Sequence, residues 1–442
     1  MKNNYKKNQY HTPENNRIKQ QQLNNEKITE PLLVFWNKLI SHLKLMDKWL
    51  IVYVILLTFV GLVMTYSATM YFIDKGANAP DPFLYLRNQL FSVSIGWIAI
   101  LIISLLPPSL FKNIKIMNIV LVLLNILLVV VYVSGNIFGG AQSWLSIFGI
   151  FYVQPSEFVK LMTIILMAWI IQHINREVIA TQEIPRQLLI FTVANLLLSL
   201  ALILIQPDLG MVIIIVLTMG LVFFLMWKDS RSNYIIYGGA ITGTFFLYLL
   251  SYLKGPELVD TEKHQLERLG TFINPFNYYD NAGYQLVQGY ITFSQGGWFG
   301  RGIGRSLMKR PGGLPAAHTD FMIAIIAEET GVIGASLVVI LLFALIIQLF
   351  RCAGRSSQPF NMACLTGIGG VLLIQSMINL GGATGLLPLT GVTLPFVSYG
   401  GTSMLLTMML IGVAQNMIIE EKKIRIEHEK NKENRKEHEI DF

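Results

Sequence analysis

The stretch WLIVYVILLTFVGLVMTYSATMYF, residues 49–72, is 24 residues long and holds no charged side chain. A helix needs about 20 consecutive apolar residues to cross a bilayer, and this run meets that length. Runs of the same kind recur at 84–106, 116–134, 155–173, 187–206, 209–227, 234–253, 320–350, 361–384 and 400–419. The chain therefore reads as an all-α integral membrane protein with about ten transmembrane helices. Composition agrees: of 442 residues, 53% are hydrophobic and 14% charged, against about 25% charged in soluble globular chains, and the mean hydropathy is +0.52. A water-soluble enzyme of this size is all but excluded.

The basic residues set the expected orientation. There are 34 Lys and Arg against 27 Asp and Glu, a net charge of +7, and in a membrane protein such an excess reads first as topology rather than as a nucleic-acid partner. With the N-terminus inside, 24 of the 34 cations fall on cytoplasmic segments, while the short outward loops at 135–153, 206–208 and 385–399 hold none. Both termini are thus expected in the cytoplasm. Residues 1–48 form a polar, largely disordered tail without a cleavable signal peptide, 49–420 the membrane domain, and 421–442 a charged tail that continues the last span as helix and then frays. Cys352 and Cys364 show neither metal spacing nor a disulfide framework.

One outward segment, 254–318, breaks the pattern. It carries Lys254, Lys263, Arg268, Arg301, Arg305, Lys309 and Arg310, and a loop of that length in a compact domain is expected to be functional. Carboxylates near the spans point the same way, because they are costly there and mark functional sites by default. Glu157 and Lys160 lie three apart at a helix start and can pair. Asp208 stands where it could cap the next helix or help place a cation or polar head group. Asp320 closes the basic loop and opens a span, with water on one side and low dielectric on the other, a setting that raises a carboxyl toward a general base; a simple helix cap is the alternative. Glu328 and Glu329, deeper on the same helix, read as structural.

Two glycine-rich stretches complete the inventory. Residues 295–306, Gln-Gly-Gly-Trp-Phe-Gly-Arg-Gly-Ile-Gly-Arg-Ser, suit either an anion cradle beside Arg301, Arg305, Lys309 and Arg310 or tight turns and close helix packing. The loop 385–401, Gly-Leu-Leu-Pro-Leu-Thr-Gly-Val-Thr-Leu-Pro-Phe-Val-Ser-Tyr-Gly-Gly, is non-helical backbone at membrane depth. Such backbone is tolerated only where protein buries it or it lines a cavity, so it is expected to wall an outward cavity.

With these motifs in hand, residues 48–420 resemble the SEDS family of shape, elongation, division and sporulation proteins, whose members include FtsW, RodA and SpoVE. The likeness rests on residues 61–69 (Gly-Leu-Val-Met-Thr-Tyr-Ser-Ala-Thr), 154–160 (Gln-Pro-Ser-Glu-Phe-Val-Lys), 206–210 (Gln-Pro-Asp-Leu-Gly), 283–288 (Gly-Tyr-Gln-Leu-Val-Gln), 318–321 (His-Thr-Asp-Phe), 328–331 (Glu-Glu-Thr-Gly) and the 385–401 loop. Its wording is more similar to the FtsW branch than to RodA. The resemblance implies an inverting glycosyltransferase that polymerises lipid II on the outer face of the bacterial cytoplasmic membrane, for septal wall in the FtsW branch, beside a class B penicillin-binding protein and other divisome proteins. It also implies that Asp320 is the essential carboxylate, with Glu157, Lys160 and Asp208 functionally sensitive; Trp144, Arg268, Arg301, Arg305, Lys309, His318 and Ser398 are the further candidates for binding substrate or supporting the site. The residues name no certain cofactor, and a divalent cation is the one candidate. Ala316 and Ser143 depart from residues common in the family, which bears on loop contacts. A RodA-type elongation polymerase, a lipid II flippase or transporter, and a silent scaffold are the competing readings.

Overall fold

The computed structural model describes residues 39–70, 82–138, 141–147, 151–174, 186–226, 264–280, 283–308 and 313–440, together with 249, 252–254 and 257. Among the described residues, nine helices are long and apolar enough to cross a membrane. They are α1 (Lys48–Thr69), α2 (Pro82–Leu105), α4 (Ile114–Ser134), α5 (Pro155–Ile174), α6 (Arg186–Ile205), α7 (Leu209–Met226), α10 (Met322–Gly354), α11 (Pro359–Thr384) and α12 (Gly401–Ile440). A short helix, α3 (Pro108–Lys112), links α2 to α4. The expected span at 234–253 falls almost wholly outside the described residues, as do the first 38 residues and Lys309. Residues 39–45 form a short helix in a unit of their own, Met1–Met46.

Burial sorts the helices. In both α5 and α12, 89% of the apolar window is buried, against 28% in α6. A helix enclosed by protein on all sides can carry ionic groups that lipid would reject, and α5 carries two. Helix α11 packs against α5, α7 and α10. Its weak hydropathy comes from glycines at those contacts: a Cβ at Gly367 would lie 2.7 Å from Ile164, and one at Gly370 2.9 Å from Leu221. Small residues let helices approach where lipid gives no hydrophobic drive to associate. The peripheral pair α4 and α6 is joined by amides instead. Asn125 Nδ2 donates to Asn195 Oδ1 at 2.7 Å, Ser199 Oγ to Asn125 Oδ1 at 2.7 Å, and Asn118 Nδ2 to Thr192 Oγ1 at 2.8 Å.

At the tail-bearing end, α12 ties the bundle together. Asn416 Nδ2 donates to the carbonyls of Ile103, Ser104 and Leu106, groups that a helix end leaves without partners. The Glu421 carboxylate accepts from the Ser357 and Gln358 amides ahead of α11. Helix α12 then continues through the charged tail to Ile440.

The opposite end is more ordered than a loop reading implies. The 135–153 connection forms a small antiparallel sheet in the order β1 (Asn136–Phe138), β2 (Ala141–Ile147), β3 (Phe151–Val153), the one sheet among the described residues. Within 254–318, the described residues include α8 (His264–Thr271), a 3-10 turn over Pro275–Tyr278 and α9 (Tyr284–Gly296). The glycine stretch after α9 packs on a kink in α10. Gly331 there has φ +73°, and a Cβ on it would lie 2.2 Å from the Trp298 carbonyl oxygen, so only glycine fits. The Arg301 and Gly302 amides donate to the Glu328 and Glu329 carbonyls, each at 2.9 Å. Of the two readings of this stretch, close packing is the one these contacts support.

The 385–400 loop dips into the bundle. A Cβ at Gly61 of α1 would lie 2.4 Å from the Phe396 carbonyl oxygen. Gly61 is eight residues from the end of α1, or about 12 Å along the helix axis at 1.5 Å per residue. Gly61→Val therefore pushes the loop off α1, at a cost of about 1–3 kcal/mol for overpacking. The expected result is a lower melting temperature in detergent; an unchanged one shows that the loop does not rest on Gly61.

Candidate active site

Asp320 lies two residues ahead of α10 and is 4% exposed. It does not cap the helix: the N-cap is Phe321, with no side-chain cap bond. Its carboxylate accepts from Thr319 Oγ1 at 3.1 Å and, at 3.5 Å, from Gln285 Nε2 of α9. Burial pushes the carboxyl above its ordinary range, opposed by the positive charge of Arg268 on α8. Arg268 stands over the 385–400 loop, where a Cβ at Gly391 would lie 3.0 Å from its Nη1.

A second ionic cluster sits where α5 and α7 begin. Lys160 Nζ meets Glu157 Oε2 at 2.7 Å, with both side chains buried. Asp208 accepts from the Met211 amide at 3.2 Å, a cap on α7, and from Gln154 Nε2 at 2.7 Å. Burial raises the Asp208 carboxyl, the Met211 amide opposes that shift, and the Glu157 charge adds to it.

The remaining candidates are spread around these two centres. The His318 ring packs on Tyr85 and Tyr399 at 5.2 and 5.6 Å, and burial lowers its pKa to about 4, so the imidazole is neutral at pH 7. Ser398 Oγ accepts from the Leu394 amide at 3.1 Å and shapes the loop. Arg301 reaches Gln295 and lies 3.9 Å from Glu328, and Arg305 is exposed beside it. Arg301 thus lies at the α10 kink. Glu328 also accepts from Ser306 Oγ and the Leu307 amide, and Glu329 from Ser67 Oγ. Trp144 is half-buried on β2, paired in register with Asn136. Among the described residues, no three His, Cys, Asp or Glu side chains gather as a metal ion would need.

Sequence reasoning missed the residues that join the two centres. Gln375 Oε1 accepts from Lys160 Nζ at 2.9 Å, and Asn379 Nδ2 donates to the Asp320 carbonyl at 2.8 Å. The signal was present: two amides four apart in an apolar span are expected to face protein and to find partners there.

A family model described as "Cell cycle protein", covering FtsW, RodA and SpoVE, matches residues 47–423. The chain belongs to the FtsW/RodA/SpoVE family. Over 379 residues it is 34% identical to the probable peptidoglycan glycosyltransferase FtsW of Bacillus subtilis, covering 85% of this chain and 91% of that protein. Stage V sporulation protein E of the same organism is 31% identical over 84% of this chain and 96% of its own length. Among solved structures, a chain reported under "Structural coordination of polymerization and crosslinking by a peptidoglycan synthase complex" superposes with a TM-score of 0.62 at 24% identity, covering 85% of this chain and 98% of that one. That likeness establishes the family fold for the described helices.

A carboxyl whose folded pKa is raised contributes its stability below the ordinary carboxylate range and loses it as pH climbs through the raised value. Asp320→Asn removes that loss. The variant is expected to melt above wild type at pH 7, with the gap closing as pH falls toward 4. A variant that melts lower at pH 7 contradicts the burial argument.

Proposed function

We propose that this chain polymerises lipid II into glycan strands by inverting glycosyl transfer on the outer face of the cytoplasmic membrane. The observation that carries the reading is a buried carboxylate, Asp320, within the field of Arg268 at the loop-bearing end of the bundle. Asp320 takes the proton from the 4-hydroxyl of the acceptor N-acetylglucosamine as that oxygen attacks the anomeric carbon of the donor N-acetylmuramic acid. A β-1,4 bond forms, and the α-linked undecaprenyl pyrophosphate leaves with the bonding electrons. A pyrophosphate leaving group needs positive charge more than a proton donor, and Arg268 is the cation already acting on this site.

The FtsW name of the similar proteins supports septal synthesis, with a class B penicillin-binding protein as the transpeptidase partner. The distribution of Lys and Arg supports cytoplasmic termini. The placement of the ionic groups favours an enzyme over a flippase. Asp208 and Asp320 stand just ahead of α7 and α10 and Glu157 in the first turn of α5, whereas an alternating-access transporter gathers its site at the bilayer midplane.

A positioned general base contributes roughly 10²–10⁴-fold to rate. Asp320→Asn, purified with its partner and given labelled lipid II, is expected to lose activity in that range. Near-normal glycan chains from the variant sink the base assignment, and lipid II crossing of liposomes without polymer favours the transporter.

A further inference from the structure

We propose that Gln375 and Asn379 of α11 are positioning residues that hold the Asp320 backbone and the 385–400 loop in register with the Glu157–Lys160 pair. Both side chains are buried, at 1% and 4% exposure. They lie four apart, so they are neighbours on one helix face, a turn from each other. Asn379 Nδ2 donates to the Asp320 carbonyl at 2.8 Å and to the Val392 carbonyl at 2.7 Å; a primary amide carries two hydrogens and satisfies both at once. Gln375 Nε2 donates to the next loop carbonyl, Thr393, at 3.0 Å, while its Oε1 accepts from Lys160 Nζ at 2.9 Å. One rigid helix face thus connects α5, consecutive carbonyls of the loop and the segment that carries Asp320.

The carboxylate itself needs this support. Its closest side-chain donor is its own neighbour Thr319, and Gln285 reaches it only at 3.5 Å. The residue's own amide also donates to the carboxylate, so among the described residues Gln285 is its one hydrogen-bonded tie to another element. The short bond from Asn379 to the Asp320 carbonyl supplies the restraint through the backbone. If Asn379 only satisfied the loop, Val392 would suffice as its partner; its second bond falls on the Asp320 residue.

The inference rests on the glycosyltransferase reading for its activity readout alone. The test uses the full chain in lipid nanodiscs with its transpeptidase partner, comparing wild type, Asp320→Asn, Asn379→Ala, Asn379→His and Gln375→Ala. Hydrogen–deuterium exchange is expected to rise in both 316–321 and 390–394 for Asn379→Ala, and in 390–394 alone for Gln375→Ala. On labelled lipid II, Asn379→Ala is expected to lower kcat on the order of 10²-fold, as for a reacting group displaced by an ångström, with KM within about twofold. Asn379→His keeps an N–H on this short side chain and is expected to recover part of kcat. Unchanged exchange in both segments overturns the bridge whatever the activity. Faster exchange throughout the bundle, with equal losses in Ala and His variants, reduces Asn379 to a packing residue and also overturns it. If Asp320→Asn stays active, the base assignment fails, and the exchange pattern still decides the bridge.

Discussion

A stretch of irregular backbone inside a membrane bundle must find every hydrogen-bond partner within the protein, because the hydrocarbon offers none. Residues 385–400 are that stretch here, and the rest of the loop-bearing end is arranged around their needs. Gln375 and Asn379 reach the Thr393 and Val392 carbonyls from α11. Gln89 of α2 donates to the Ser398 carbonyl at 3.2 Å. The Tyr399 amide donates to the His318 carbonyl at 2.9 Å. Gly61 clears the space that the loop backbone occupies. In satisfying itself, the loop shares Asn379 with the Asp320 carbonyl and Gln375 with Lys160, and lies against Arg268.

That arrangement gives Glu157 and Asp320 different electrostatic surroundings. Glu157 has a cation at 2.7 Å, a geometry that keeps an ion pair tolerable when both groups are buried. Asp320 has burial without a paired cation in contact, and its carboxyl is raised accordingly. Glu157 is thereby committed to structure, while the Asp320 carboxyl is raised by burial. This is how a single fold separates a supporting ion pair from an acid–base group.

Much of this was legible in the sequence. Nine of the ten expected spans reappear within a few residues, because length and apolarity alone decide them. The Glu157–Lys160 pair and the Asp208 cap followed from spacing at helix starts. The sheet at 136–153 was hidden, since three strands of at most seven residues carry too little alternation to register. The packing of the glycine stretch was also illegible: it is close to Asp320 in sequence, yet the Gly331 kink brings its amides to the Glu328 and Glu329 carbonyls. Arg268, farther off in sequence, is the cation whose field reaches Asp320. Long-range placement of this kind depends on how α8, α9 and the re-entrant loop stack, which no local pattern encodes.

The account turns on Asp320 acting as a base whose carboxyl is raised by burial. The most direct test is the pH dependence of lipid II polymerisation by the full chain with its partner. The account predicts a rate that climbs with pH through an inflection above the ordinary carboxylate range, with that inflection absent from the residual activity of Asp320→Asn. A rate flat across that range, or an inflection that survives in the Asn variant, contradicts it.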